Sequence, residues 1–186
     1  WPLIIALRAL EEELNNGAVP PAYRQQVHPI NLNIGIIKGG DWPSTVPAVA
    51  EFHARLAFFP GVEYDSVCKL IEEKIQRAAK NDPWLAANPP RVSFYGFRSQ
   101  GHSLSRDLPA LRTLNTCHKS LTGSDAASCV ACCTTDLRAF VHYGQGQATC
   151  YGPVAEAIHA ANERVLIASP VDTTKTYALF LARWCG

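Results

Sequence analysis

The chain has 186 residues, 47% of them hydrophobic, with 17 basic and 16 acidic side chains and a formal net charge of +1. This length can bury one domain or two small ones, and the near-even charge, without basic stripe or polybasic run, argues against nucleic-acid and membrane-surface partners. The longest apolar runs, residues 1–7 and 178–182, are too short to span a bilayer.

Leu3, Leu7, Leu10 and Leu14 recur at helical spacing opposite Arg8 and Glu11-Glu12-Glu13, which predicts an amphipathic helix stopped by Asn15-Asn16-Gly17. Residues 30–38 read as a half-buried strand with Leu32, Ile34 and Ile36 inward, broken by Gly39-Gly40-Asp41-Trp42-Pro43. A second strand follows, in which Ala50, Phe52, Ala54, Leu56 and Phe58 alternate with Glu51, His53 and Arg55 until Pro60-Gly61. Val67, Leu70, Ile71, Ile75 and Ala78 mark the apolar face of a second helix. Asn81-Asp82-Pro83 and Asn88-Pro89-Pro90 bracket a loop, and residues 91–97 are a further strand candidate. That order predicts an α+β sandwich, with helices on one face of an antiparallel sheet.

Residues 98–105 are polar and read as a linker. Beyond them Asp107 is expected to cap a helix carrying Leu108, Leu111, Leu114 and Leu121, closed by Thr122-Gly123. Residues 128–133 read as a short apolar strand, Thr135-Asp136 as the cap of a short helix through Val141, and residues 147–151 as a buried strand ending in Gly152-Pro153. Ser169-Pro170 starts a last helix that runs to about Trp184. Alternating strands and helices predict a parallel or mixed sheet, so this part is expected to be α/β.

The seven cysteines fit free thiols in a reducing cytoplasm better than a secreted disulfide framework. Cys129-x-x-Cys132-Cys133 lacks the second pair of a structural zinc site, and a redox motif belongs at a helix start, so core packing is the simplest reading. A zinc-binding or thiol-redox module remains an alternative. Gly39-Gly40 lacks the residues of a phosphate loop, Gly144-Gln145-Gly146 is a turn, and no nucleophile elbow occurs. His28, His102 and His118 stand isolated, and Glu11-Glu12-Glu13 and Glu72-Glu73 read as solvated helix faces. His159 follows the 147–151 strand, in the kind of loop where open α/β sheets gather ligand-binding residues. A neutral imidazole there suits zinc, and a nearby carboxylate can fix its tautomer.

Three ordered segments carry a resemblance: Thr135-Asp136-Leu137-Arg138-Ala139-Phe140, then Cys150-Tyr151-Gly152-Pro153, then Ile158-His159-Ala160-Ala161-Asn162-Glu163-Arg164-Val165. Together they are similar to the C-terminal signature of the zinc aminoacylase, acetylornithine deacetylase and succinyl-diaminopimelate desuccinylase family. Upstream, Gly39-Gly40, Thr45-Val46-Pro47 and the strand ending Arg55-x-x-x-x-Pro60-Gly61 resemble that family's lid domain. The chain departs from the pattern at Ser44-Thr45, where the lid loop has Asn, at Ala155, where the desuccinylases have Asn, and at Cys133, where they have Gly.

The resemblance implies a lid and dimerisation domain over residues 1–104, lacking its first strand, and the end of a metallohydrolase catalytic domain over 105–186. It implies His159 as a zinc ligand, with Arg55, Thr134 and the Gly152 backbone seating a substrate carboxylate. An intact protein of this kind is a cytoplasmic homodimer that hydrolyses N-acyl amino acids, acetylornithine foremost, or small peptides, with two zinc ions, or cobalt, per active site. The remaining metal ligands and the general base lie upstream in family order. Because the chain has no Met and starts within a helical pattern, it is expected to be a fragment or to lack residues. The absence of a charged leader predicts no secretory signal, and a single His ligand predicts that the fragment alone is inactive. The alternative is a non-enzymatic dimerisation or binding module of the same descent.

Overall fold

The computed structural model describes residues 1–144, 146 and 148–186. The chain divides into two compact units, residues 1–101 and 102–186, each taken on its own below. Helices and small antiparallel sheets make up both.

The first unit opens with α1 (Pro2–Asn16), followed by a 3-10 turn at Pro21–Tyr23, strands β1 (Leu32–Gly39) and β2 (Ala50–Leu56), and helices α2 (Tyr64–Lys80) and α3 (Pro83–Ala87). β1 and β2 form a two-stranded antiparallel sheet. Leu7 and Leu10 of α1, Leu32 of β1 and Ile75 of α2 are the buried centre, with Phe52, Leu56, Leu70 and Val92 packed around them. The leucine stripe of α1 and the apolar stripe of α2 therefore cover one face of the hairpin, as their spacing predicts. Asp65 in the first turn of α2 and Arg77 and Lys80 in its last turn complement the helix dipole.

One extra residue, Gly35, interrupts the pairing between Ile34↔Ala54 and Ile36↔His53. The resulting bulge turns Ile36 away from the face it was expected to share with Leu32 and Ile34, and brings Ile37 opposite Phe52 instead. The loop expected between Asn81 and Pro90 contains the short α3. Asp82 caps that helix by accepting from the Trp84 and Leu85 amides, and Pro83 is its first helical residue. No strand forms over residues 91–97. The Pro89-Pro90 pair leads into an extended segment without a ladder, held by the Gln76 side chain donating to Pro90 O at 3.2 Å and by Val92 against the core.

Three polar residues of α1 satisfy the outer edge of the chain entering β1. Asn15 both donates to Ile30 O (2.8 Å) and accepts from Ile30 N (2.9 Å). Glu11 accepts from Leu32 N at 2.6 Å, while Arg8 donates to Leu32 O at 2.7 Å. Spaced at i, i+3 and i+7, these side chains fall on one face of α1 and stand in for a missing neighbouring strand. Glu11 was expected on a solvated face; it is buried at 5% exposure because this edge claims it. His28, expected to be isolated, lies 3.3 Å from the same carboxylate.

The second unit comprises α4 (Pro109–Thr122), α5 (Leu137–Tyr143), a hairpin of β3 (Ala155–Glu156) and β4 (Arg164–Val165), and α6 (Ala168–Trp184). α4 and α6 pack together, burying Leu114 and Cys117 of one and Thr173 and Thr176 of the other. Gly123 closes α4 in the left-handed conformation at φ 80, as expected. Asp107 does not cap it: Pro109 sets the first turn and Leu108 occupies the cap position. The antiparallel β3–β4 pair is the sheet among this unit's described residues, in place of the expected parallel or mixed one. The strand expected at 147–151 includes Gln147, outside the described residues, and residues 148–151 are not strand. Residues 128–133 do not form a strand either, because Asn115 draws the preceding chain back onto α4 by accepting from Ala126 N at 2.8 Å. Cys129, Cys132 and Cys133 are consequently exposed rather than in a core, and Cys117 is the buried cysteine.

Burial by itself pushes the Glu11 carboxyl up, but the Leu32 amide, Arg8 and His28 together outweigh it and hold it below the ordinary value of 4.5. The stabilisation is thus complete above that ordinary value and is lost as pH falls through the lower folded one. Glu11→Ala, which leaves the Leu32 amide unsatisfied, is expected to cost about 1–3 kcal/mol in urea unfolding at neutral pH, and the deficit to shrink on acidification. An unchanged midpoint contradicts the role.

Candidate functional site

In the first unit, successive outward residues of β2 carry the polar chemistry. Glu51, His53 and Arg55 share one face of the strand by their alternation. Glu51 pairs with Lys38 across the hairpin at 3.3 Å and lies 3.4 Å from His53 Nε2. Lys38, His53 and the charges they bring hold the Glu51 carboxyl below its usual range. The other ring nitrogen of His53 meets the Tyr95 hydroxyl, with the two rings edge-on at 5.6 Å. Lys38, Glu51, Gly39, Gly40 and Val49 border an open cleft of about 340 Å³ at the hairpin end. Arg55 is not among the residues lining it. It stands four positions further along β2, on the order of 13 Å away, opposite Asn33, and its exposed guanidinium has no partner among the described residues.

In the second unit, Tyr151 organises the segments that carry the family signature. Its hydroxyl donates to Thr176 on α6 at 3.2 Å and shares a hydrogen bond with His118 on α4 at 2.7 Å. Its carbonyl accepts from the Tyr177 hydroxyl. Thr176 is fully buried. The residue before it, Cys150, lies 3.9 Å from the Thr135 hydroxyl, which brings the Thr134-Thr135 segment near the Gly152-Pro153 segment. Thr134 and Gly152 are both exposed, and a methyl group placed on Gly152 would meet nothing within 4 Å. The Gly152 backbone is therefore open to an approaching ligand.

Beyond that segment, Val154 N donates to the Ser169 hydroxyl and Val154 O accepts from Leu166 N at 3.0 Å, so the hairpin is tied to the start of α6. Glu156 and Arg164 face each other in register, and Arg164 Nε donates to the carboxylate at 2.8 Å. The loop they close holds His159. Its ring is exposed and has no hydrogen-bond, ion-pair or ring partner among the described residues. Ala157 and His159 have φ values of 54 and 66, a left-handed conformation that costs a non-glycine residue about 1–2 kcal/mol and that recurs where a side chain is held for a task. The setting is thus an antiparallel hairpin rather than the end of a parallel strand.

A free imidazole of this kind fits one ligand position of a metal centre. Among the described residues no three His, Cys, Asp or Glu side chains converge to complete it. The cysteine alternative finds no such convergence either. Partial burial, then the neighbouring Cys133, pushes the Cys132 thiol up, opposite to what a redox nucleophile requires. Three features escaped the sequence. His118, expected to be isolated, is a partner of Tyr151; His102 stands 6.1 Å from the His142 ring; and the His53–Tyr95 pair joins two segments distant in sequence. The outward alternation of His53 was the available signal for the last.

Comparison with known proteins adds two findings. Residues 2–83 match the model of the peptidase dimerisation domain. An N-formyl-4-amino-5-aminomethyl-2-methylpyrimidine deformylase of Halalkalibacterium halodurans is 26% identical over 163 residues, covering 83% of this chain and 38% of the relative. The Bacillus subtilis protein of the same name is 27% identical over 165 residues, with 83% and 38% covered. The chain therefore spans under half the length of these curated relatives.

The Tyr151 hydroxyl is the element on which this arrangement rests. Tyr151→Phe is expected to lower the unfolding free energy by about 1–2 kcal/mol, since it withdraws a partner from a buried threonine and from His118. An unaltered denaturant midpoint would show that the segment is positioned by something else.

Proposed function

We propose that the chain, whose residues 2–83 match the peptidase dimerisation domain model, is part of a homodimeric, metal-dependent amide hydrolase acting on small N-acyl compounds. The observation that carries the reading is His159, an exposed imidazole without a partner among the described residues, held in a left-handed loop at the position where the resembled signature has a metal ligand.

In this reading His159 offers one ring nitrogen to zinc, or cobalt, and the Glu156–Arg164 pair fixes the hairpin that presents it. A metal bound there supplies a water of lowered pKa and polarises the acyl carbonyl. The Thr134 hydroxyl and the Gly152 backbone amide offer hydrogen bonds to the acyl compound, and both are open to solvent. Arg55, whose guanidinium on the outward face of β2 has no partner among the described residues, is suited to a substrate carboxylate. The second-unit hairpin bares Val154, Ile158, Leu166 and Ile167 at 61%, 61%, 61% and 86% exposure. So much exposed apolar surface favours burial against further polypeptide in the intact protein, which is where this reading puts the other ligands and the general base. The seven free thiols fit a cytoplasmic setting, and no helix among the described residues is long and apolar enough to cross a membrane.

The names of the relatives make a formyl group on a small aminomethyl compound as strong a candidate acyl group as the acetyl group of acetylornithine. In the intact protein loaded with zinc, His159→Asn is expected to reduce hydrolysis of the better of an N-formyl and an N-acetyl substrate by roughly 100-fold or more. Asn tolerates the left-handed backbone, so the fold persists. Activity and zinc content equal to the unsubstituted protein contradict the assignment. The isolated 186-residue chain is expected to show no metal-dependent hydrolysis, since a catalytic zinc normally takes three protein ligands.

A further inference from the structure

We propose that the groove between α4 and α6 binds a phosphate group carried by a small molecule. This site is independent of the hydrolase reading and uses none of its residues. Pro109, Arg112, Thr113 and Thr116 of α4 and Arg183 of α6 line an open groove of about 520 Å³. Its two charged residues are both arginines, and no carboxylate lines it.

The cationic character comes from the side chains. The start of α4 and the end of α6 meet here, so the opposite partial charges of the two helix ends largely offset each other. Arg183 is held in place by donating to the sulfur of the buried Cys117 at 3.6 Å, through one of its nitrogens. The Arg112 guanidinium has no hydrogen-bond or ion-pair partner among the described residues, unlike Lys119 on the same helix, which pairs with Asp125 at 3.1 Å. The Thr113 hydroxyl is likewise uncommitted among those residues, whereas the Thr116 hydroxyl donates back to Arg112 O at 2.9 Å.

Two guanidinium forks and a free hydroxyl match the charge and the several acceptor oxygens of a phosphate dianion better than they match a single carboxylate. The groove is also larger than phosphate alone needs, and lies in the range of small-molecule sites. A phosphomonoester therefore fits it, with the organic part lying along the helices.

Titration calorimetry of the 186-residue chain with inorganic phosphate, glycerol phosphate and acetate at constant ionic strength tests the site. Saturable binding of phosphate or of the ester, at least about tenfold weaker in Arg112→Gln and in Arg183→Gln and unchanged in Lys119→Gln, is the expected result. Tighter binding of the ester identifies it as the occupant, and equal binding identifies the phosphate group as sufficient; both support the site. Should Arg183→Gln unfold through loss of its contact with Cys117, Arg112→Gln carries the test alone, as it breaks no contact. Absence of saturable binding, acetate binding as tight as phosphate, or equal loss in Lys119→Gln overturns the proposal.

Discussion

The hydroxyl of one tyrosine sets the geometry of the second unit. Tyr151 sits where the chain leaves α5 and approaches α6, and its oxygen is shared between a histidine of α4 and a buried threonine of α6. The fully buried Thr176 hydroxyl donates to Asp172 O at 2.9 Å and accepts from Tyr151, so losing the tyrosine removes the bond to its lone pair at a cost in free energy. That cost pins the Gly152-Pro153 segment against the helix pair. Everything downstream follows from that segment: Val154 is tied to Ser169, the hairpin is tied to the start of α6, and the loop bearing His159 projects from it. The metal-ligand candidate is therefore mobile only as far as a two-residue ladder and one ion pair permit.

The first unit solves a different problem. A two-stranded sheet leaves backbone groups unpaired along its edges, and such groups must find partners if they are buried. At Ile30 and Leu32 the partners come from α1, where Asn15, Glu11 and Arg8 supply donors and acceptors at the places a strand would. The helix thus serves the sheet twice, through its leucines against the face and its polar residues against the edge. On the opposite face of β2 the sequence leaves a row of charged and polar side chains, Glu51, His53 and Arg55.

The elements with long, regular periodicity were legible in the sequence: α1, α2, α4 and both strands of the first unit stand where apolar stripes and alternation put them. The last helix, α6, read from Ser169-Pro170 as cap and first helical residue, begins instead at Ala168 with Ile167 in the cap position. What escaped were features decided by a single residue or by distant partners. The Gly35 bulge flips Ile36 with no mark in the alternation itself. Residues 91–97 and 128–133 have strand-like composition, yet Pro89-Pro90 and the pull of Asn115 settle their backbones. Glu11 lies in an acidic triplet that resembles a solvated face, and only the position of Leu32 explains its burial. The Asp82-Pro83 start of α3, a cap followed by proline, was read only as the border of a loop. Of the candidate site, His159, Thr134, Gly152 and Arg55 were named from a signature rather than from geometry. The structure leaves all four exposed, while Tyr151, which positions the segment, gave no sign beyond being an aromatic before Gly-Pro.

The proposal of a metal-dependent hydrolase rests on the match of residues 2–83 to the peptidase dimerisation domain model and on the loop geometry of His159. The most direct measurement is long-range nitrogen–proton NMR of the histidine rings in the intact protein, with and without zinc. The account predicts that zinc moves one ring nitrogen of His159 to a metal-bound shift. Ring-nitrogen shifts of His159 that are the same with and without zinc contradict it.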